Sequence, residues 1–250
     1  KAKHTYEKRE NTDDTEKARG LLRQAIELDD TLITAKVLLG LTYSDMGDYD
    51  EAMEIYTPAL EQAEKLADKR GMGHTLNNIG LVRWHKGEYD KALEYYDRSL
   101  KIYEELGDTR GMGAILSNIG LVHANKGEYD TALEYYDKSL KIKEELGDKR
   151  GMGITLNNIG IVHDNRGDYD KALEYYERAL KIDEELGDKR GMGQTMGNIG
   201  IVHADKGDYG KALEYYERSL KIKEEIGDKR GMGITLNNIG IVHDNRGDYD

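Results

Sequence analysis

Four histidines recur at a constant interval, His123, His163, His203 and His243, each 40 residues after the last. Imidazole is the commonest metal ligand and titrates near neutral pH, so such a ladder is the first place to look for chemistry. Repeated helical units, however, set equivalent side chains about 10 Å apart. A Zn–N bond is about 2.1 Å, so one ion cannot gather them. They read as core histidines, and no metal ligand is assigned. The tetrad Arg-Gly-Met-Gly (Arg70 to Gly73 and four later copies) resembles a phosphate cradle only superficially. It has no G-x-x-x-x-G-K-[ST] pattern and no preceding strand. Its glycines are better explained as letting one helix approach the helix before it. The stretch DNRGDYD (164–170 and 244–250) hints at a calcium loop, but its glycine is misplaced and no glutamate closes it. The Arg-Gly-Asp at Arg166 and Arg246 is Lys-Gly-Glu or Lys-Gly-Asp in other copies, which marks a turn. Nothing groups a nucleophile with a base and an orienting partner, so no catalytic residue and no cofactor are expected, and the chain is read as non-enzymatic.

The elements that carry these residues follow from the repetition. Copies begin at Gly71, Gly111, Gly151, Gly191 and Gly231, and residues 147–170 recur unchanged at 227–250. Each copy breaks at Lys-Gly or Arg-Gly followed by an acidic residue and Tyr, and again at Gly-Asp. Glycine just past a helix and Asp just before the next are end and start signals. Each unit therefore reads as helix A (about Lys149 to Arg166), a tight turn, and helix B (about Tyr169 to Leu186). In helix B, Tyr169, Ala172, Leu173, Tyr176 and Leu180 follow helical spacing. Helix A carries Gly151, Gly153, Gly160, Asn157 and Asn158. Each interior Gly costs about 1 kcal/mol relative to Ala, so this helix depends on its neighbours.

The pattern Leu156-x2-Ile159-Gly160-x2-His163, then Gly167-x-Tyr169-x2-Ala172-x3-Tyr176, resembles the tetratricopeptide repeat. An earlier copy is closer still, with Leu39-Gly40-x2-Tyr43, Gly47-Asp48-Tyr49, Ala52 and Tyr56. The spacing from Ala18 to Ala52 is 34, the usual length of that repeat, and then becomes 40 through Ala92, Ala132, Ala172 and Ala212. This longer form is similar to the repeats of kinesin light chains and Pins/LGN-type adaptors. The resemblance implies an all-α solenoid, a right-handed superhelix of helix-turn-helix units. The expected division is a diverged N-terminal repeat at 1–30, then repeats at 31–70, 71–110, 111–150, 151–190 and 191–230, with helix A of a further repeat at 231–250.

Most columns are identical between copies, so the variable ones stand out: His74/Ala114/Ile154/Gln194/Ile234, Asn77/Ser117/Asn157/Gly197/Asn237, Trp84/Ala124/Asp164/Ala204/Asp244 and His85/Asn125/Asn165/Asp205/Asn245. On a helical wheel they occupy one stripe of about 100°, opposite the packed Leu156, Ile159, Gly160 and His163. In the resembled family that stripe lines a concave groove that holds extended peptides. Asn78, Asn118, Asn158, Asn198 and Asn238 recur at its edge. A side-chain amide both donates and accepts, so such a ladder could pair with a peptide main chain. The resemblance assigns it that role, with the variable residues choosing side chains. The alternative is that these asparagines cap or bridge adjacent helices. The early copy offers His74, Arg83, Trp84 and His85, suited to apolar or acidic peptide residues. Later copies offer Asp164, Asp205 and Asp244 with Asn125, Asn165 and Asn245, suited to basic ones. The variable helix-B column Tyr103/Lys143/Asp183/Lys223 is read as solvent-facing.

Composition narrows the partners. The 37 basic and 49 acidic residues give a net charge of −12 with both signs interspersed, leaving no basic stripe for nucleic acid. No apolar run approaches the length of a membrane helix, and there is no cysteine, which suits a reducing, cytoplasmic setting. A protein or peptide partner is expected, without nucleic acid or membrane. Because the sequence begins at Lys1 rather than Met, it reads as a segment of a longer protein. Two rival functions remain open. One is a regulatory arm of a signalling enzyme (an NTPase, cyclase or caspase-like protease) whose catalytic domain lies outside the segment. The other is an array that stacks end to end on itself.

Overall fold

The computed structural model describes residues 2–247, with side chains from residue 14 onward. Twelve helices and no strand occur among the described residues. A long first helix, α1 (Ala2–Leu28), precedes five pairs: α2 (Ile33–Ser44) and α3 (Tyr49–Lys65), α4 (Lys69–His85) and α5 (Tyr89–Leu106), α6 (Thr109–Asn125) and α7 (Tyr129–Glu145), α8 (Lys149–Asn165) and α9 (Tyr169–Leu186), α10 (Lys189–Asp205) and α11 (Tyr209–Glu225). A single helix, α12 (Lys229–Arg246), follows. This is the all-α helix-turn-helix class of repeat. The chain forms two compact units, one up to Val122 and one from His123.

Local chemistry sets the helix ends. Asp68, Asp148, Asp188 and Asp228 accept the backbone N–H of the glycine three residues on, at 2.9–3.0 Å, as N-caps do. Gly107 and Gly187 end α5 and α9 in the left-handed conformation, which glycine adopts without steric cost. The other turn differs from the capping expectation. Glu88, Asp168 and Asp208 stand at the N-cap position but make no side-chain cap bond. They turn back instead: Glu88 to Arg83 at 2.9 Å, Asp168 to His163 at 3.4 Å and Asp208 to His203 at 3.6 Å. His163 and His203 also stack on Tyr175 and Tyr215 at 5.4 and 5.7 Å. Both are buried.

In four of the pairs a tyrosine inserts into a glycine notch. A Cβ on Gly40, Gly80, Gly160 or Gly200 would lie 2.4–2.7 Å from the ring of Tyr56, Tyr96, Tyr176 or Tyr216. Only glycine permits that approach. Ala172, Tyr176, Leu180, Met196, Ile199 and Val202 then join one pair to the next in a shared core, and Ala52, Tyr56, Leu60, Leu76, Ile79 and Val82 do so in the first unit. These sockets give helix A the packing that its own composition denies it.

The helix-B column read as solvent-facing is in fact internal. Tyr103, Lys143 and Asp183 are 3%, 8% and 8% exposed, and Lys223 is half-buried. The glycines of the Gly-Met-Gly segment make the room. A Cβ on Gly153 would lie 3.2 Å from Asp183, and one on Gly191 2.7 Å from it. Asp183 thus sits between helix A of its own repeat and helix A of the next, and a wheel of helix B alone cannot show that second cover.

Candidate functional site

Within each unit the A helices approach one another: α2 meets α4, and α10 meets both α8 and α12. Among the described residues the backbones of the B helices of a unit stay farther apart, and α5 reaches α3 through a long side chain, Arg98 to Glu64 at 3.4 Å. The A helices are therefore the closer-packed layer, and Asn77, Asn157 and Gly197 of the variable columns lie where A helices meet.

The structure grades the stripe from surface to floor. Ile154 and Ile234 are more than half exposed, and His85, Asn125, Asn165, Asp205, Asp244 and Asn245 are exposed. Trp84 and Asp164 are half-buried. Ser117 and Asn157 are buried, so the stripe is not wholly surface. Asn237 is exposed and Asn77 half-buried, as are Asn78, Asn118, Asn158, Asn198 and Asn238.

The amides are partly committed to each other. Asn118 Nδ2 donates to Asn77 Oδ1 at 2.9 Å, and Asn198 Nδ2 to Asn157 Oδ1 at 3.1 Å. Asn78 Nδ2 donates to the His74 carbonyl at 2.9 Å. Each of these bonds uses one donor hydrogen of an amide that has two, along with acceptor lone pairs. Asn238 differs from Asn118 and Asn198, since the position that would face it is Gly197 rather than an amide.

The early residues have separate local partners. His74 contacts the Tyr103 hydroxyl at 3.0 Å, and Arg83 is taken by Glu88. Trp84 and His85 do stand together, edge to face at 4.6 Å, with His85 stacked on Tyr49 at 5.2 Å. Partial desolvation of its ring against Tyr49 and Trp84 holds the His85 imidazole below its ordinary pKa, against an opposing pull from Asp45. Later, Asp164 has its carboxyl pushed up to about 6, by burial first and then by the charge of Asp205. Its Oδ1 is buried and accepts no hydrogen bond.

Below the stripe lies a feature missed by sequence reasoning. Lys143 Nζ donates to Thr155 Oγ1 at 2.7 Å, Thr195 Oγ1 donates to Asp183 at 3.1 Å, and Lys223 Nζ donates to Thr235 Oγ1 at 2.9 Å. Where the helix-B residue is Tyr103, the position 12 residues on is Ile115 instead of Thr. That coupled change was the available signal. Asp183 and Lys223 floor equivalent cavities between successive repeats. The first, beside Asn157 and Asn158, measures about 80 Å³, and the second, beside Gly197 and Asn198, about 470 Å³.

Among the described residues no three His, Asp or Glu side chains are placed to hold a metal ion, and no helix is long and apolar enough to cross a membrane.

The tetratricopeptide repeat family matches residues 30–105, 111–185 and 191–250. No curated protein shows a significant sequence match. Among solved structures, the chain is similar to BtubC (BKLC) from P. vanneervenii, with 24% identity, a TM-score of 0.71, and coverage of 86% of this chain and 90% of that one. It is also similar to a Signal Transduction ATPase with Numerous Domains (STAND) protein with a tetratricopeptide repeat sensor from Pyrococcus horikoshii, at 19% identity and TM-score 0.78. That match covers 90% of this chain but only 34% of the other. A Rap protein complexed with Competence and Sporulation Factor matches at 19% identity and TM-score 0.74, covering 91% of this chain and 73% of that one. At these identities the likenesses establish the fold.

Proposed function

We propose that this chain, which belongs to the tetratricopeptide repeat family, is a non-enzymatic interaction scaffold that holds an extended peptide segment of a partner protein against the face formed by its A helices. The observation that carries this reading is the half-buried amides on the A helices of each unit, Asn78 and Asn118 in the first and Asn158, Asn198 and Asn238 in the second. Asn118 and Asn198 each spend one hydrogen on the neighbouring repeat. That bond fixes the amide's orientation and leaves its second hydrogen and an acceptor for a main chain. A pre-oriented group binds at lower entropic cost than a free rotor. Between the amides, side chains of the peptide would meet residues that change from repeat to repeat. Asp164, half-buried beside the charge of Asp205, suits a cationic one. Trp84 with His85 suits an apolar one.

The test is selection from a random peptide display library against the immobilised 250-residue chain. The expected result is capture of extended sequences whose binding is blocked by Asn158→Ala combined with Asn198→Ala. Peptides that bind these variants as well as the native chain would place the contact elsewhere. Failure to capture any peptide would contradict the proposal.

A further inference from the structure

Two equivalent cavities of the second unit differ in size and in the sign of the charge at their floor. In the α8–α10 cavity, Asn157 occupies the wall and accepts from Asn198, and Asp183 lies beneath. Arg150 there is drawn to Asp188 at 3.7 Å. One repeat later, in the α10–α12 cavity, Gly197 replaces the asparagine and Lys223 replaces the aspartate. A Cβ on Gly197 would meet only Lys223 Nζ and Ser219 Oγ, both at 3.6 Å, an ordinary contact distance. The missing side chain is therefore the opening itself. At about 470 Å³ the cavity falls within the usual range for ligand pockets, about 300–1,000 Å³.

The chemistry at the walls is one-sided. Lys223, Arg190 and Arg230 line the cavity, opposed by the single carboxylate of Asp228. That carboxylate is engaged in capping α12 through the Gly231 N–H at 2.9 Å. In a chain of net charge −12, this is a local cationic recess. Lys223 Nζ donates to a neutral hydroxyl, Thr235 Oγ1. Burial holds its ammonium below the ordinary lysine pKa, partly offset by Asp228. A half-desolvated ammonium gains more from an arriving anion than one in open water does, because the charge is less screened. The amides of Asn198 and Asn238 flank the entrance. They can hold the main chain on either side of an inserted residue.

We propose that the Gly197–Lys223 cavity is a specificity pocket for a carboxylate side chain, Asp or Glu, of the bound peptide. It rests on the peptide-binding reading above and adds the identity of one required residue. The α8–α10 cavity is its natural control, since it is small and floored by the opposite charge.

The experiment selects N-acetylated, C-terminally amidated random peptides against the native 250-residue chain and against Lys223→Gln, Gly197→Asn and Lys223→Asp, each checked for native helicity. The native chain is expected to enrich Asp or Glu at one position about ten-fold over Gln, the gain from one charge-assisted bond replacing a neutral one. The enrichment should vanish in Lys223→Gln and Gly197→Asn and turn toward Lys or Arg in Lys223→Asp. Captured peptides with no acidic position, or with one that persists in both of the first two variants, overturn the proposal while leaving peptide binding intact. If no peptide is captured, the deciding measurement is titration with N-acetylglutamate N-methylamide, followed by the Lys223 side-chain NMR shifts. A shift in the native chain that Gly197→Asn abolishes sustains the pocket and removes only the peptide-binding reading. No shift removes both.

Discussion

Lys143 and Thr155 stand 12 residues apart in sequence and 2.7 Å apart in space, with Nζ donating to Oγ1 across the joint between helix B of one repeat and helix A of the next. The joint recurs as Asp183 with Thr195 and as Lys223 with Thr235. The hydroxyl can serve both floors because it donates as readily as it accepts. A cation and an anion thus occupy the same slot in successive repeats.

The joint should behave as a coupled pair. Thr155→Val removes an acceptor from a buried ammonium and should cost about 1–3 kcal/mol, the range for depriving a buried polar group of a partner. Adding Lys143→Met removes the ammonium as well, so the double variant should be more stable than the sum of the two single changes implies. Urea unfolding of the four proteins measures this. Strict additivity would mean that the pair is not energetically linked.

The tyrosine sockets make an opposite prediction at two glycines of identical sequence context. Gly160→Ala drives a Cβ to 2.5 Å from the Tyr176 ring and should destabilise by about 1–3 kcal/mol through overpacking. Gly240→Ala meets nothing within 4 Å. It should be neutral or stabilise α12 by up to about 1 kcal/mol through helix propensity. Thermal melts of the two variants check the pair, and equal destabilisation would refute the socket.

Asp183 gives stability a pH dependence with a definite sign. Burial, aided by the charge of Asp188 and opposed by the Thr195 hydrogen bond, pushes its carboxyl up to about 6 from 3.8. A folded-state pKa above the unfolded one favours the protonated form in the fold. Its contribution is therefore fully present below pH 3.8, declines as pH rises, and is lost above about pH 6. Asp183→Asn should match the native chain near pH 4 and exceed it by roughly 2 kcal/mol at pH 7. A stability difference that does not change with pH would contradict this.

Much of the fold was legible because each unit states its own boundaries. The Gly-Asp breaks, the helical spacing of Tyr169, Ala172 and Tyr176, and the recurring Gly160 are local signals, and all describe one helix or one turn. Lys143 and Asp183 were misread because their burial is not local. The helix that covers them belongs to the following repeat, and only the exchange of Thr for Ile115 opposite Tyr103 hinted at it. The asparagines were ambiguous for a different reason. An amide that bridges helices and one that holds a peptide require the same residue, and Asn118 and Asn198 are observed in the first arrangement while retaining capacity for the second.

That retained capacity is where the functional account is most exposed. Take a peptide selected on the native chain and measure its affinity by calorimetry for Asn158→Ala/Asn198→Ala/Asn238→Ala, alongside the melting of both proteins. The bond from Asn198 to Asn157 is worth about 1 kcal/mol, so only a small loss of stability should follow. The account predicts a loss of affinity of at least about ten-fold with helicity unchanged. Undiminished affinity in the triple variant, with its helices intact, would contradict it.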